Sequence, residues 1–345
     1  MMDSNSTNQV YSRRLGALSS EQFQAALARF SLGDFVGAAP IDGGLFGQNV
    51  FVTCTQGEYV LRGSPHFPWQ FPKEQFGAAL LHAHTQVSVA HPYLLDRTTD
   101  IFGWPYLLIP RLYGTHPLAA HLSLPEKLAI AQALGQNLAR LHALTWPFPG
   151  DYDLASQTIQ PFPGGFAHWI AADIRSWRDT ARFSAAAVPA VTADDVAWTE
   201  RVIAEAQPAL AVAFAPSFVM NDDNPGNMLV AQVEGTWQVT GLFDLMEYYF
   251  GDGEADLMRM IAIYLDKDPQ NGAQLAQAFG TAYLAARPAR DGFVERFQLY
   301  MLRDRAIAWE YGTRPENNWF PNSRSFRDYA EPYTATCRLF VPAAP

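Results

Sequence analysis

Cysteine, basic charge and long apolar runs are all scarce in this sequence. Its 345 residues include two cysteines, Cys54 and Cys337, far apart along the chain. That excludes a disulfide framework and a cysteine metal knuckle, and it favours a reducing compartment. Lys and Arg total 24 against 34 Asp and Glu, a formal net charge of −10, so we expect no nucleic-acid partner.

Apolar stretches are too short to suggest a membrane span, because no run approaches the roughly 18 residues that one needs. The first residues are polar and acidic, whereas a signal peptide begins basic and then becomes apolar. We therefore expect a cytoplasmic protein with no membrane partner, and the sequence leaves its oligomeric state open. The composition is 49% hydrophobic and 17% charged, which is typical of a globular protein long enough for two lobes.

The most informative stretch runs from Asp222 to Asp244. Asp222 is followed five positions later by Asn227, then by a hairpin with its turn at residues 234–235, and then by Asp244. Phosphoryl transfer from a Mg-nucleotide needs these groups: a carboxylate facing the substrate hydroxyl, and amide and carboxylate oxygens for the metal. The same short motif is also a good turn sequence. Apolar segments on both sides of the loop favour a buried site over a solvated turn.

The pattern along the chain predicts an α+β protein in two parts. Residues 1–18 are predicted to be a loose leader and residues 19–112 a small lobe. Within the small lobe we expect a helix that starts at Ser19 and a second helix over 73–86. Extended segments are expected at 35–41, 49–55, 58–62 and 105–112, with a hairpin turn at residues 56–57. Residues 113–345 are predicted to be mainly helical. The helices are expected at 125–144, 165–183, 193–213, 254–265, 271–286 and 290–312. This is the architecture of a protein-kinase-like fold, with an antiparallel β-rich N-lobe and a larger helical C-lobe.

Several motifs in order make the chain similar to the aminoglycoside phosphotransferase family, which also includes choline, homoserine and fructosamine kinase-type enzymes. They are Gly43-Gly44-Leu45-Phe46-Gly47-Gln48-Asn49, Tyr59-Val60-Leu61-Arg62, Leu138-Ala139-Arg140-Leu141-His142, Met220-Asn221-Asp222-Asp223-Asn224-Pro225-Gly226-Asn227, Phe243-Asp244-Leu245-Met246-Glu247 and Gly251-Asp252-Gly253-Glu254-Ala255-Asp256-Leu257. The resemblance covers roughly residues 19–260. It implies a small-molecule kinase that uses Mg²⁺ and ATP or GTP.

The resemblance assigns roles residue by residue. Asp222 is the expected catalytic carboxylate, and Asn227 and Asp244 are the expected Mg²⁺ ligands. The expected nucleotide-binding residues are Gly43, Gly44 and Gly47 at the phosphates, Arg62 aimed by Glu74, and Ile109, Pro110 and Leu112 at the adenine hinge. Asp252 and Asp256 are expected to be structural, and His142 is expected to be a satisfied core residue or to brace the catalytic loop.

The sequence says least about the acceptor substrate. Acidic Asp223, Glu247 and Glu254 would attract an amine-bearing substrate such as an aminoglycoside. Trp309 and Tyr311 could bind a cationic group by cation–π attraction, although aromatic residues are more often core.

Two departures from the family pattern keep alternatives open. Met220 replaces the usual His of the catalytic loop, and Asn221 replaces the Gly before the catalytic Asp. The chain could therefore be a nucleotide-binding pseudokinase with a regulatory role, or a choline-, homoserine- or fructosamine-type kinase. A protein kinase is disfavoured, because there is no Ala-Pro-Glu motif and little room for an activation segment after Asp244.

Overall fold

The computed structural model describes residues 8–41, 48–183, 191–314, 317, 319 and 325–340. The chain divides into two compact units. The first comprises Met1–Gly114, Asp153–Thr158 and Thr240–Met246, and the second comprises Thr115–Tyr152, Ile159–Val239 and Glu247–Pro345. The sequence pattern predicted a single division near residue 112 and gave no sign of the two later segments that join the first unit.

Residues 8–18, the described part of the predicted loose leader, contain two strands. Strands β1 (Gln9–Ser12) and β2 (Gly16–Leu18) pair antiparallel. Leu15 and Leu18 are 5% and 3% exposed and belong to the core of the first unit. The leader prediction is therefore corrected. The polar composition of the segment was the misleading signal, since few of its residues, among them Leu15, Leu18 and Tyr11, pack against the core.

The first unit is built on an antiparallel sheet. Helix α1 (Ser20–Arg29) begins at the predicted Ser19 N-cap, where Ser19 and Gln22 form a reciprocal capping box. The sheet has the order β3-β4-β5-β7-β6. Its strands are β3 (Phe35–Pro40), β4 (Asn49–Cys54), β5 (Gly57–Gly63), β6 (Leu94–Asp96) and β7 (Tyr106–Pro110), and every neighbouring pair is antiparallel.

Helix α2 (Gln70–His84) follows the sheet hairpin and begins three residues before its predicted start. This register buries Glu74 in the second turn of the helix, so that its carboxylate can meet a residue of β5. The β4–β5 hairpin turns between Cys54 and Gly57, as its Gln-Gly turn predicts.

The second unit is mostly helical. Its helices are α3 (Leu124–Leu141), α4 (Phe166–Phe183), α5 (Ala193–Leu210), α6 (Leu257–Lys267), α7 (Gly272–Ala286), α8 (Phe293–Thr313) and α9 (Phe326–Thr334). Helices α3 and α7 pack so closely that a Cβ on Gly135 would collide with the carbonyl oxygen of Phe279. None of the described helices is long and apolar enough to span a membrane.

Short strands within residues 150–161, 217–219 and 249–251 were missed by the sequence pattern. Strands β8 (Gly150–Asp153), β9 (Thr158–Pro161), β10 (Ser217–Val219) and β13 (Tyr249–Gly251) form a sheet in the order β10-β13-β8-β9. Strands β11 (Met228–Val233) and β12 (Thr236–Leu242) form the predicted hairpin. Its turn residues Glu234 and Gly235 both have positive φ, as a tight two-residue hairpin turn requires.

Leu18→Ala is expected to lower the free energy of unfolding by about 2–5 kcal/mol, because it leaves a cavity in the core of the first unit. The measurement is the shift of the urea unfolding transition. Val10→Ala is the control: Val10 lies in the same hairpin but is 67% exposed, so its change should stay within about 0.5 kcal/mol. Equal, negligible shifts for both variants would restore the loose-leader interpretation.

Candidate active site

The loop after β10 is fixed by a buried carboxylate. The two oxygens of Asp256 accept the backbone N–H groups of Met220 at 2.6 Å and Asn221 at 2.7 Å. His142 is fully buried, and its Nε2 lies 3.1 Å from Asp256 while its Nδ1 lies 2.9 Å from the Tyr283 hydroxyl. An imidazole that donates from Nε2 and accepts at Nδ1 satisfies both contacts. Asp256 and His142 therefore brace the loop, in the structural roles expected for them.

The two departures from the family motif have a structural explanation. The loop is braced through backbone N–H groups, so the apolar, fully buried Met220 can replace a polar side chain without leaving a partner unsatisfied. Asn221 has φ of 65°, in the left-handed region that favours glycine. Asparagine is among the non-glycine residues that tolerate this conformation best, so it can occupy the position of the usual Gly.

Asp222 is held by one residue on each carboxylate oxygen. The Nδ2 of Asn227 donates to Asp222 Oδ2 at 2.9 Å and to its carbonyl oxygen at 3.1 Å. The Nη1 of Arg259 donates to Asp222 Oδ1 at 3.0 Å. The Asp222 side chain remains 29% exposed. A carboxylate oxygen has two acceptor positions, so Asp222 can still accept a hydrogen bond from a hydroxyl group.

Arg259 was not singled out by the sequence. A cue was available, since Arg259 lies three residues after Asp256 at the start of helix α6, and residues three apart share a helix face. Its Nε also donates to Asp304 Oδ1 at 2.5 Å, and Asp304 in turn accepts from Arg305. These contacts join α6 and α8, and such a long-range pairing has no local sequence signal.

Asp223 does not face a substrate. It is 3% exposed, and its Oδ2 has no hydrogen-bond partner among the described residues. Burial raises the pKa of Asp223 well above its usual value, and the nearby Asp256 and Asp222 carboxylates raise it further. The Arg259 guanidinium opposes this shift in pKa without outweighing it, and a carboxyl group whose charged form is disfavoured attracts an amine poorly. The prediction that Asp223 attracts an amine is therefore corrected.

The other four residues predicted to bind the acceptor lie in different environments. Glu254 is buried and forms ion pairs with Arg290 and Arg296, so its charge is already compensated. Trp309 is 1% exposed and packs against aromatic rings of α9, which makes it a core residue. Glu247 is exposed. Tyr311 is half-buried, with the Arg314 guanidinium 3.9 Å from its ring centroid. Burial corrects the predictions for Glu254 and Trp309.

The first unit contains a second polar cluster. Arg62 on β5 forms the predicted ion pair with Glu74 on α2, and its Nη2 donates to Asp244 Oδ1 at 3.2 Å. Burial disfavours a charge on Arg62, but Glu74 and Asp244 outweigh it and raise the pKa of Arg62. Burial raises the pKa of Glu74 to about 7, against the opposing effect of Arg62. The guanidinium is thus fixed at the end of the strand by two carboxylates.

Asp244 has an unusual backbone conformation. Its φ of 61° lies in the left-handed region, which is uncommon for residues other than glycine. Its side chain is 37% exposed, and the Arg62 contact engages only Oδ1. Strained backbone of this kind is often found at functional sites.

The predicted nucleotide-binding residues are only partly described. Gly43, Gly44 and Gly47 lie outside the described residues. Ile109 and Pro110 pair with Val60 and Tyr59 at the end of β7, and Leu112 follows that strand. The intervening Arg111 N–H donates to the Glu58 carbonyl oxygen at 3.0 Å. A role for these residues in adenine binding remains a prediction.

Among the described residues, no group of three or more His, Cys, Asp or Glu side chains could hold a metal ion. The residues expected at a metal are instead an amide and a carboxylate. Asn227 uses its amide nitrogen for Asp222, so its Oδ1 is the atom that could ligate a metal. The carboxylate of Asp244 in the first unit is likewise a hard oxygen donor of the kind that Mg²⁺ prefers.

A braced Asp-x-x-x-x-Asn loop, a buried Arg–Glu pair and a strained Asp after a hairpin define a phosphotransferase of the kinase-like class. The model of the phosphotransferase enzyme family abbreviated APH matches residues 37–293, and the chain belongs to this family. The family match confirms the resemblance that the sequence motifs indicated. A comparison with curated proteins finds no matching sequence.

Solved structures with the same fold extend over nearly the whole chain. The macrolide 2'-phosphotransferase MphH from Brachybacterium faecium is 18% identical with a TM-score of 0.55, covering 94% of this chain and 99% of its own. Aminoglycoside 2'-phosphotransferase-IIIa in its GDP complex is 14% identical with a TM-score of 0.60, covering 94% and 99%. Spectinomycin phosphotransferase with ADP and spectinomycin is 14% identical with a TM-score of 0.54, covering 93% and 94%. The predicted fold class is confirmed.

Proposed function

We propose that this protein transfers the γ-phosphate of ATP or GTP to a hydroxyl group of a small molecule, in a reaction that needs Mg²⁺. The observation that carries the proposal is the geometry of Asp222. Its carboxylate is partly exposed, held at one oxygen by Asn227 and at the other by Arg259, in a loop braced by Asp256. A positioned carboxylate of this kind suits a group that orients a hydroxyl and takes its proton.

The other residues have roles that follow from their chemistry. Asp222 orients the acceptor hydroxyl and receives its proton as the phosphoryl group is transferred. Arg62, held by Glu74, binds phosphate oxygens through its planar guanidinium. The backbone at Ile109, Pro110 and Leu112 binds the base. Asn227 and Asp244 would hold Mg²⁺, which neutralises charge on the phosphate oxygens when bound.

The nucleotide and the acceptor must be determined by experiment. GDP and ADP are bound in the neighbours named above, which supports a nucleotide co-substrate without choosing between ATP and GTP. Aminoglycosides, macrolides and spectinomycin, the acceptors named for those neighbours, belong in the first screen together with amino-alcohol metabolites. Because ATP and GTP are intracellular, we propose a cytoplasmic location.

A thermal-shift panel with Mg-ATP and Mg-GTP, followed by an ADP- or GDP-release screen over acceptors, tests this proposal. We expect one or both nucleotides to stabilise the protein only with Mg²⁺, and at least one acceptor to accelerate release. Nucleotide stabilisation that is independent of Mg²⁺, with no release above the rate without enzyme, would instead support the pseudokinase interpretation.

Arg62→Ala is expected to weaken ATP binding or kcat/KM by about 1.5–3 kcal/mol, the range for a charged hydrogen bond. Adenosine affinity should barely change, because the guanidinium is proposed to contact phosphates and not the base. Calorimetry with Mg-ATP and with adenosine on both proteins makes the comparison. If both ligands weaken equally, Arg62 supports the fold of the first unit, and the phosphate role passes to another cation such as Lys73.

A further inference from the structure

The second unit has a small cleft in which every acidic side chain already has hydrogen-bond or ion-pair partners. It is lined by Asn221, Asp256, Arg259, Tyr300, Arg303 and Asp304, among other residues. Asp256 accepts from two backbone N–H groups and contacts His142, while Asp304 accepts from Arg259 and Arg305. The Tyr300 hydroxyl donates to Asp252 at 2.7 Å. These groups therefore offer little to attract a cation.

Two arginines in the cleft, Arg259 and Arg303, can still donate further hydrogen bonds. Arg259 donates from Nε to Asp304 and from Nη1 to Asp222. Arg303 donates from Nε to Asp173 at 2.6 Å and from Nη1 to Asn221 Oδ1 at 2.5 Å. Neither Nη2 group makes a hydrogen bond to a described residue. A guanidinium has five N–H donors, so each arginine is anchored and still has N–H groups to offer a ligand.

Aromatic rings, as well as polar groups, hold the guanidinium of Arg303 in place. Its guanidinium carbon lies 5.3 Å from the Trp169 ring centroid and 5.7 Å from the Tyr249 ring centroid. The residue is 8% exposed. A guanidinium fixed by rings and by a carboxylate loses little conformational freedom when it binds a ligand.

We propose that Arg259 and Arg303 form an anion-recognising subsite beside Asp222, and that the acceptor is a hydroxylated molecule carrying a carboxylate. Asp222 accepts from the acceptor hydroxyl, and the arginines donate to its carboxylate oxygens. This inference rests on the proposed function, because it gives the acceptor of that same reaction a chemical class.

Charge and geometry favour a carboxylate over an amine. Arg259 directly contacts the Asp222 oxygen, so an ammonium group brought to Asp222 would lie close to a like charge. Two of the three carboxylates predicted to attract an amine are withdrawn from that role, since Asp223 is buried and Glu254 is buried and paired with Arg296. The planar N–H groups of a guanidinium match the two oxygens of a carboxylate.

Ligand-detected NMR titrations in the presence of Mg-ADP test the subsite. The probes are glycolate, L-lactate and L-malate, with glycerol as the neutral and choline as the cationic counterpart, all at constant ionic strength. We expect at least one hydroxy acid to bind the wild-type protein more tightly than glycerol and choline. Arg259→Met should weaken that binding roughly tenfold or more, as expected for the loss of a charged hydrogen bond.

Matched controls separate binding from folding. Arg327→Met removes an exposed arginine whose partner is Glu331, and it should leave hydroxy-acid binding unchanged. Arg303→Lys keeps the charge but not the planar guanidinium, and it should also weaken binding. Arg259→Met should fold, because Asp304 keeps its contact with Arg305, and a thermal melt of each variant checks this.

Each outcome decides the proposal. The absence of hydroxy-acid binding, equal binding by wild type and Arg259→Met, or tighter binding of choline would overturn it. Mg-nucleotide binding measured on the same samples distinguishes failure of the subsite proposal from failure of the proposed function. If the wild-type protein binds Mg-nucleotide but no hydroxy acid, only the subsite proposal fails. If the wild-type protein shows no Mg-dependent nucleotide binding, the proposed function itself is contradicted.

Discussion

Asp222→Asn is expected to lower kcat by at least about a hundredfold, the lower end of what a positioned general base contributes. Nucleotide affinity should change little, because the carboxylate is proposed to face the acceptor hydroxyl and not the phosphates. Two donors, from Asn227 and Arg259, meet the carboxylate from either side. An Asn side chain presents its oxygen to one of these donors and its own N–H group to the other, so Asp222→Ala is measured beside it.

Steady-state kinetics and a nucleotide thermal shift on the same preparations make this test. Asp179→Asn is the matched control, because Asp179 is a partly exposed carboxylate that pairs with Arg178 on the same helix. It should retain wild-type kcat. Retention of more than a tenth of wild-type kcat by both Asp222 variants, a barrier change of less than about 1.4 kcal/mol, would argue against the catalytic role.

Asp244→Asn and Asp244→Ala are expected to remove the Mg²⁺-dependent part of nucleotide stabilisation. A ligand at a hundred times its Kd stabilises the folded state by about 2.7 kcal/mol, so its loss is easily measured by thermal shift with Mg²⁺ and with EDTA. Asparagine tolerates the left-handed backbone of Asp244 and alanine does so less well. The Asn variant therefore isolates the charge from the backbone strain.

The contacts of Arg62 predict how the Asp244 variants should behave without nucleotide. It loses one partner in either variant but keeps Glu74, so the melting temperature without nucleotide should fall only modestly. A Mg²⁺-dependent shift that stays at the wild-type size in both variants would contradict the assignment of Asp244 as a metal ligand. A collapse of stability without ligand would show that Asp244 serves the fold.

Local signals account for the parts of the molecule that the sequence predicted well. The Ser19 cap, the β4–β5 hairpin and the turn at Glu234 and Gly235 are written in a few adjacent residues. The contact between Asn227 and Asp222 is equally local, whereas Asp256 and Arg259, which hold the same loop, lie more than thirty positions further along the chain. The Arg62–Glu74 pair could be predicted because a strand and the helix after it bring their residues together in many kinase-like proteins.

What the sequence could not predict depends on distant contacts. Strands β10 and β13 have three residues each and exist because they pair across distant parts of the chain, Ser217 with Gly251 and Val219 with Tyr249. The β1–β2 hairpin is anchored by core leucines that look unremarkable in a polar N-terminus. The acidic residues near the active-site motifs looked available to a cationic acceptor. Burial removes Asp223 from that role, and ion pairs with Arg290 and Arg296 remove Glu254.

Formation of ADP or GDP from the Mg-nucleotide, followed by ³¹P NMR, tests the central claim most directly. The account predicts that enzyme and Mg²⁺ convert the γ-phosphate to a phosphate ester when an acceptor is present, and that Asp222→Asn prevents this while still binding nucleotide. Bound Mg-nucleotide that remains intact with every acceptor offered, or conversion at the same rate by wild type and Asp222→Asn, would contradict it.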